Sequence, residues 1–124
     1  MPLTNTGADH IAGLIIGTGT SFNNGTARIG VGNSNAAFNA AQTDLQGASV
    51  QRKLQEPTYP LRAANVLTFR SLFTTAEANF AWEEWGLFNQ AAAGIMLCRK
   101  VEPLGTKTSA QSWQLTVSIT VSPA

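Results

Sequence analysis

Apolar and polar residues alternate most strictly near the end of the chain, where Trp113, Leu115, Val117, Ile119 and Val121 are separated by Gln114, Thr116, Ser118 and Thr120. Successive side chains of a strand point to opposite faces, so this period of two predicts a half-buried antiparallel strand. Its amide and hydroxyls then face water or a neighbouring molecule. A second strand is predicted over residues 94–101, with Ile95, Leu97 and Val101 on one face and Arg99 interrupting the set. In residues 80–88, Phe80 and Trp82 have one parity while Trp85 and Leu87 have the other. That switch at Glu83-Glu84 predicts a β-bulge, which re-aims the side chains after it. Residues 89–94 then join two strands as an antiparallel hairpin, or form a helical turn through Ala91, Ala92 and Ala93.

Earlier in the chain the pattern is less regular. Asp9 is a candidate cap for a helix starting at His10, with Ile11, Leu14 and Ile15 on one face; a strand through Ile15 and Ile16 is the alternative. Asn24-Gly25 is a strong turn signal and delivers a strand over residues 27–32. Ala27, Ile29 and Val31 share one face of it, whereas Gly30 and Gly32 leave the other flat and open to another backbone. Residues 33–42 read as a loop pinned by Phe38, and residues 43–46 as one helical turn. Residues 48–62 read as an extended arm or edge strand, because Pro57 and Pro60 cannot donate to a ladder. Residues 66–73 form another core strand, with Leu67, Phe69 and Phe73 in parity with Ser71. Residues 103–111 make the last long loop.

Five or six such strands predict an all-β fold, an antiparallel β-sandwich of jelly-roll or immunoglobulin-like type with at most one short N-terminal helix. The 124 residues make one domain, 1–124, in which residues 1–26 form an N-terminal arm.

Composition narrows the function. Only 12% of residues are charged and the net charge is +1, without the clustered Lys and Arg that phosphate binding needs. A weakly charged surface is poorly suited to a free monomer and points to coverage by copies of the chain or by a partner. With one cysteine, Cys98, and one histidine, His10, neither an internal disulfide nor a structural zinc site is expected. No apolar run reaches the length of a membrane span, and residues 1–6 lack the basic start of a secretion signal. The expectation is a protein made in a cytoplasm, with no cofactor, no nucleic acid and no membrane.

The candidate chemistry is thin. Glu83 and Glu84 are adjacent carboxylates, but strand neighbours point apart; pairing with Arg99 or Lys100 across the hairpin is the structural reading. Cys98 with His10 is a nucleophile and base on paper, yet an isolated strand cysteine behaves as a small buried apolar group, and His10 reads as a neighbour of the Asp9 cap. Gly30-Val31-Gly32-Asn33-Ser34-Asn35 lacks the third glycine of a dinucleotide fingerprint. Gly105-Thr106-Lys107-Thr108 lacks the upstream glycine of a phosphate loop. Asn24-Gly25-Thr26 has the form of a glycosylation acceptor but reads as the turn. No catalytic set emerges, so an enzyme is not expected. Trp113 falls in the core register, while one of Trp82 and Trp85 is a candidate exposed anchor.

Several segments in order carry a resemblance: Ile29-Gly30-Val31-Gly32, Thr43-Asp44-Leu45-Gln46, Glu84-Trp85-Gly86-Leu87-Phe88 and Thr106-Lys107-Thr108. Over roughly residues 27–121 the chain resembles small structural proteins of tailed bacteriophages. It is similar to the collar domains of phage tail fibres, which run from a glycine-rich strand through an acidic E-x-G-L-F strand to a late T-K-T. The resemblance implies a virion structural component, with a virion location. Because the chain stops soon after Val121 rather than continuing into a shaft, the expectation is a capsid decoration or cement protein. A tail adaptor, collar or fibre module is the alternative, and a carbohydrate-binding module using Trp82 or Trp85 is a third reading. Expected partners are copies of the chain itself and the major capsid protein or tail proteins. The expected interface residues are Trp82, Trp85, Arg52, Lys53, Tyr59, Gly30 and Gly32, and removal of residues 1–8 is expected to weaken assembly more than folding.

Overall fold

The computed structural model describes residues 2–123. A helix, α1 (Asn5–Ile15), precedes seven strands: β1 (Arg28–Gly32), β2 (Val50–Leu54), β3 (Leu61–Ala63), β4 (Val66–Phe73), β5 (Ala81–Phe88), β6 (Met96–Thr106) and β7 (Trp113–Thr120). They form two antiparallel sheets packed face to face, in the orders β2-β1-β5-β6 and β3-β4-β7. The expected all-β sandwich is present, with four strands against three. Its core lies between the sheets, where Ile29, Val31, Trp82 and Leu87 meet Phe69, Phe73, Val117 and Ile119. Edge-on ring contacts of Trp82 with Phe73 and Trp113, at 4.9 and 5.0 Å between centroids, join the layers.

The alternation in β7 holds for Trp113, Leu115, Val117 and Ile119, but Val121 lies past the strand and is exposed. Ala64-Asn65 makes the turn between β3 and β4, as the β4 pattern requires. The register of β5 on β6 shifts between Trp82 and Glu84, at the predicted bulge. Three residues of β6, 102–104, stand opposite Glu83 alone, and Pro103 among them has no N–H to donate. Past this irregularity Trp85 and Leu87 join Trp82 in the core, while Glu84, Gly86 and Phe88 turn to the outer face. Residues 89–95 close the β5–β6 hairpin, with Asn89 accepting from Ile95 N through its side chain at 2.9 Å.

Four expectations need correction. The helix begins at Asn5 and is capped by Thr4, not Asp9: Thr4 Oγ1 accepts from Gly7 N at 2.9 Å and donates to Met96 O at 2.6 Å. Both residue types cap helices, and docking on β6 selects Thr4. The strand predicted to end at 101 runs to Thr106, because β6 is an edge strand and tolerates Pro103. Asn24-Gly25 does not close a hairpin, since none of the described residues before it forms a strand; Asn23 caps that turn through Gly25 N and Thr26 N. Residues 43–46 contain no helical turn.

The N-terminal arm is part of the fold. Leu3 bridges Cys98, Arg99 N donates to Pro2 O, and Thr4 N donates to Leu97 O, so residues 2–4 cover the β6 edge. Removing residues 1–8 would therefore uncover part of a strand edge, a cost to folding that stands beside the larger expected loss of assembly. Residues 48–62 do contain an edge strand, β2, and it is tied to β4 by Gln55, whose side chain accepts from Arg70 N and donates to Ser71 Oγ.

Candidate functional site

Residues 33–49 fold back over the outer face of β1 and β5, and one ion pair holds them there. Arg99 Nε donates to Glu84 Oε1 at 2.7 Å, and neither side chain is exposed to solvent. Glu84 also accepts from Gln46 N at 2.8 Å, Gly47 N at 2.7 Å and Ser34 N at 3.3 Å. The remaining guanidinium nitrogens reach Ala36 O and Gln42 Oε1. A buried charge pair is tolerated when its remaining donors and acceptors are satisfied, and no buried side-chain N or O among the described residues lacks a partner. This network pins the loop, beside a half-buried Phe38.

Side chains of β5, with Leu45 of the loop, occupy the glycine face. A Cβ on Gly30 would stand 2.7 Å from Phe88 Cε1, and one on Gly32 would stand 2.5 Å from Glu84 Oε2. Leu45, Phe88 and Met96 form a small apolar cluster beneath the loop. Gly30 and Gly32 are thus packed within the chain and offer no flat surface to a second molecule. Trp82 and Trp85 are likewise corrected: they are 2% and 7% exposed, and their indole N–H groups donate to Ala78 O and Glu102 Oε2. Neither ring presents a face on which a sugar can stack.

Arg52, Lys53 and Tyr59 keep partial exposure but are engaged within the chain. Arg52 lies 3.6 Å over the Phe88 ring and donates to Gln90 O, Ala93 O and Asp44. Lys53 pairs with Glu77 at 2.7 Å, and with Thr74 N this holds the Glu77 carboxyl down at about 2. Arg70 stacks 4.1 Å from the Tyr59 ring. Lys107, from the late motif, is buried and donates to Thr74 O at 2.7 Å and Asn79 Oδ1 at 2.8 Å. Cys98 is fully buried, and burial pushes its thiol up to about 12. His10 sits inside α1, its Nε2 donating to Thr20 O at 2.7 Å, so it is not the neighbour of a cap. Among the described residues no three His, Cys, Asp or Glu side chains cluster as a metal site.

One feature escaped the sequence reading. At the end of the sandwich beside α1 the sheets part into an apolar cleft of about 480 Å³. Leu97, Phe69 and Ile119 are its buried floor, Ile11, Leu14 and Phe22 one wall, and Leu61 and Val121 its exposed rim. Among the described residues the single charged one on it is Arg62, whose Nη1 donates to Ala64 O at 2.9 Å. The size is that of a ligand or side-chain pocket, and the lining can recognise only apolar groups. Residues from α1, the loop at Phe22, β3, β4, β6 and β7 contribute to it, so no local motif announces it. Past the rim, Ile15 and Ile16 are 80% and 79% exposed. Among the described residues no helix is long and apolar enough to cross a membrane. Comparison with protein-family models, with curated proteins and with solved structures finds no match.

Proposed function

We propose that the chain is a non-enzymatic structural component of a tailed-bacteriophage virion that assembles in multiple copies, as a capsid decoration or cement protein. The observation that carries this reading is the apolar cleft with its exposed rim of Leu61 and Val121, together with the exposed Ile15 and Ile16 at the end of the helix that walls it. Exposed apolar surface concentrated in one patch marks a contact site, whereas scattered apolar residues do not. The segments that carry the phage resemblance support the reading from the other side. Glu84 anchors the residue 33–49 loop, Gly86 leaves room for Leu45 of that loop, and Lys107 anchors residues 74–79, so these motif positions build a frame rather than perform chemistry. Low surface charge and burial of both candidate sugar platforms, Trp82 and Trp85, favour protein contact over glycan binding.

Electron microscopy of purified particles labelled with antibody against this chain tests the proposal. Label over the capsid supports decoration. Label confined to the tail would replace that role with an adaptor, collar or fibre module, and absence of label from intact and disrupted particles would overturn the virion reading.

A further inference from the structure

The stripe on α1 that should be buried is only half used. Gly7 lies directly against the Leu97 backbone, where a Cβ would collide with the carbonyl. Ile11 and Leu14 follow on the same face and line the cleft, and Ile15, one turn after Ile11, continues the stripe into solvent. Ile15 and Ile16 thus project past the cleft as an apolar knob. The knob is fixed rather than loose: Ile16 N, Thr18 N and Thr18 Oγ1 all donate to Gly13 O, at 3.1, 3.0 and 2.9 Å.

We propose that the cleft of one copy receives Ile15 and Ile16 of a second copy of this chain. The inference rests on the multi-copy reading above and names the contact that reading requires. The cleft has room for both side chains, since about 480 Å³ is roughly three times the ~150 Å³ cavity that takes up a six-carbon benzene, and two isoleucine side chains carry eight carbons. Ile11, Leu61 and Val121 on the cleft, with Ile15 one helical turn beyond Ile11 and Ile16 next to it, together expose on the order of 500 Å² of surface, the larger part of the ~800 Å² a stable interface takes from each partner. Charge does not oppose the contact, because the net charge is +1 and, among the described residues, Arg62 is the only charged one on the cleft.

A small apolar ligand such as an acyl chain would fill the cleft and leave Ile15 and Ile16 bare. A second copy covers both at once. Because knob and cleft adjoin in one chain, a two-fold arrangement inserts each knob into the other copy's cleft and closes the assembly.

Sedimentation velocity of the full chain over a concentration series tests this, alongside I15D/I16D. Both positions are exposed, so the variant should keep the wild-type melting profile while self-associating at least tenfold more weakly. A second arm mixes Ile15→Cys with a differently tagged Leu61→Cys copy; a disulfide between the two tags is expected, and Cys98 is too buried to compete. Unchanged association of I15D/I16D, or no mixed disulfide, overturns the contact. Wild-type chain that stays monomeric but is counted in particles also overturns it, because another protein then fills the cleft, and leaves the virion reading standing. Absence from particles would instead remove the virion reading itself.

Discussion

Glu84 and Arg99 lie 2.7 Å apart on adjacent strands, both without solvent exposure, and between them they engage five sites on residues 34–47. The pair joins the outer face of the four-stranded sheet to a loop that has little core of its own. Breaking it leaves a buried guanidinium without its counter-charge and three backbone N–H groups without an acceptor. Glu84→Ala is expected to destabilise the protein by about 3–5 kcal/mol, the range for stranding one member of a buried pair. Urea unfolding measures it, and a loss below about 1 kcal/mol, the scale of an exposed pair, would show that the pair is not holding the loop.

Lys53 and Thr74 N hold Glu77 at about 2, from a usual value of 4.5. A carboxyl lowered on folding contributes stability that is complete above 4.5 and disappears as pH falls toward 2. Melting temperature should therefore fall across that window, and Lys53→Met should flatten the fall. An equally steep fall in Lys53→Met would assign the effect to other carboxylates.

Burial raises the Cys98 thiol to about 12, and the thiolate is the reactive form. Native protein at pH 8 should be inert to a thiol reagent, and denatured protein should react once per chain. Rapid reaction of the native form would mean that residues 2–4 open from the β6 edge.

With Trp82 and Trp85 buried and Trp113 half-buried against them, tryptophan emission should resist iodide quenching. Titration with mono- and oligosaccharides should leave the emission unchanged. A saturable shift would revive the carbohydrate-binding alternative through a surface other than these indoles.

The strands were legible where local chemistry decides them. The period of two in β7, the parity of β4 and the switch at Glu83-Glu84 are properties of neighbours in sequence. Gly30 and Gly32 were misread because the groups that fill their face, Phe88, Leu45 and Glu84, come from distant positions, and an empty face in sequence looks the same whether self or partner covers it. Trp85 was undecidable for a related reason: its side depends on how residues 102–104 of β6 pass the bulge. Thr4 and Asp9 are both good caps, and only the Met96 carbonyl beside Thr4 distinguishes them. The cleft had no signal at all, since its walls come from the helix, both sheets and the loop at Phe22.

On the proposed function, this frame is assembled in many copies on a particle. Quantitative mass spectrometry of purified particles, scaled to the major capsid protein, tests it most directly. A capsid decoration should be present in copies on the order of hundreds, as lattice symmetry multiplies one contact, whereas a ring or fibre on the tail would give about six to a few dozen. Particles that lack the chain altogether would contradict the account.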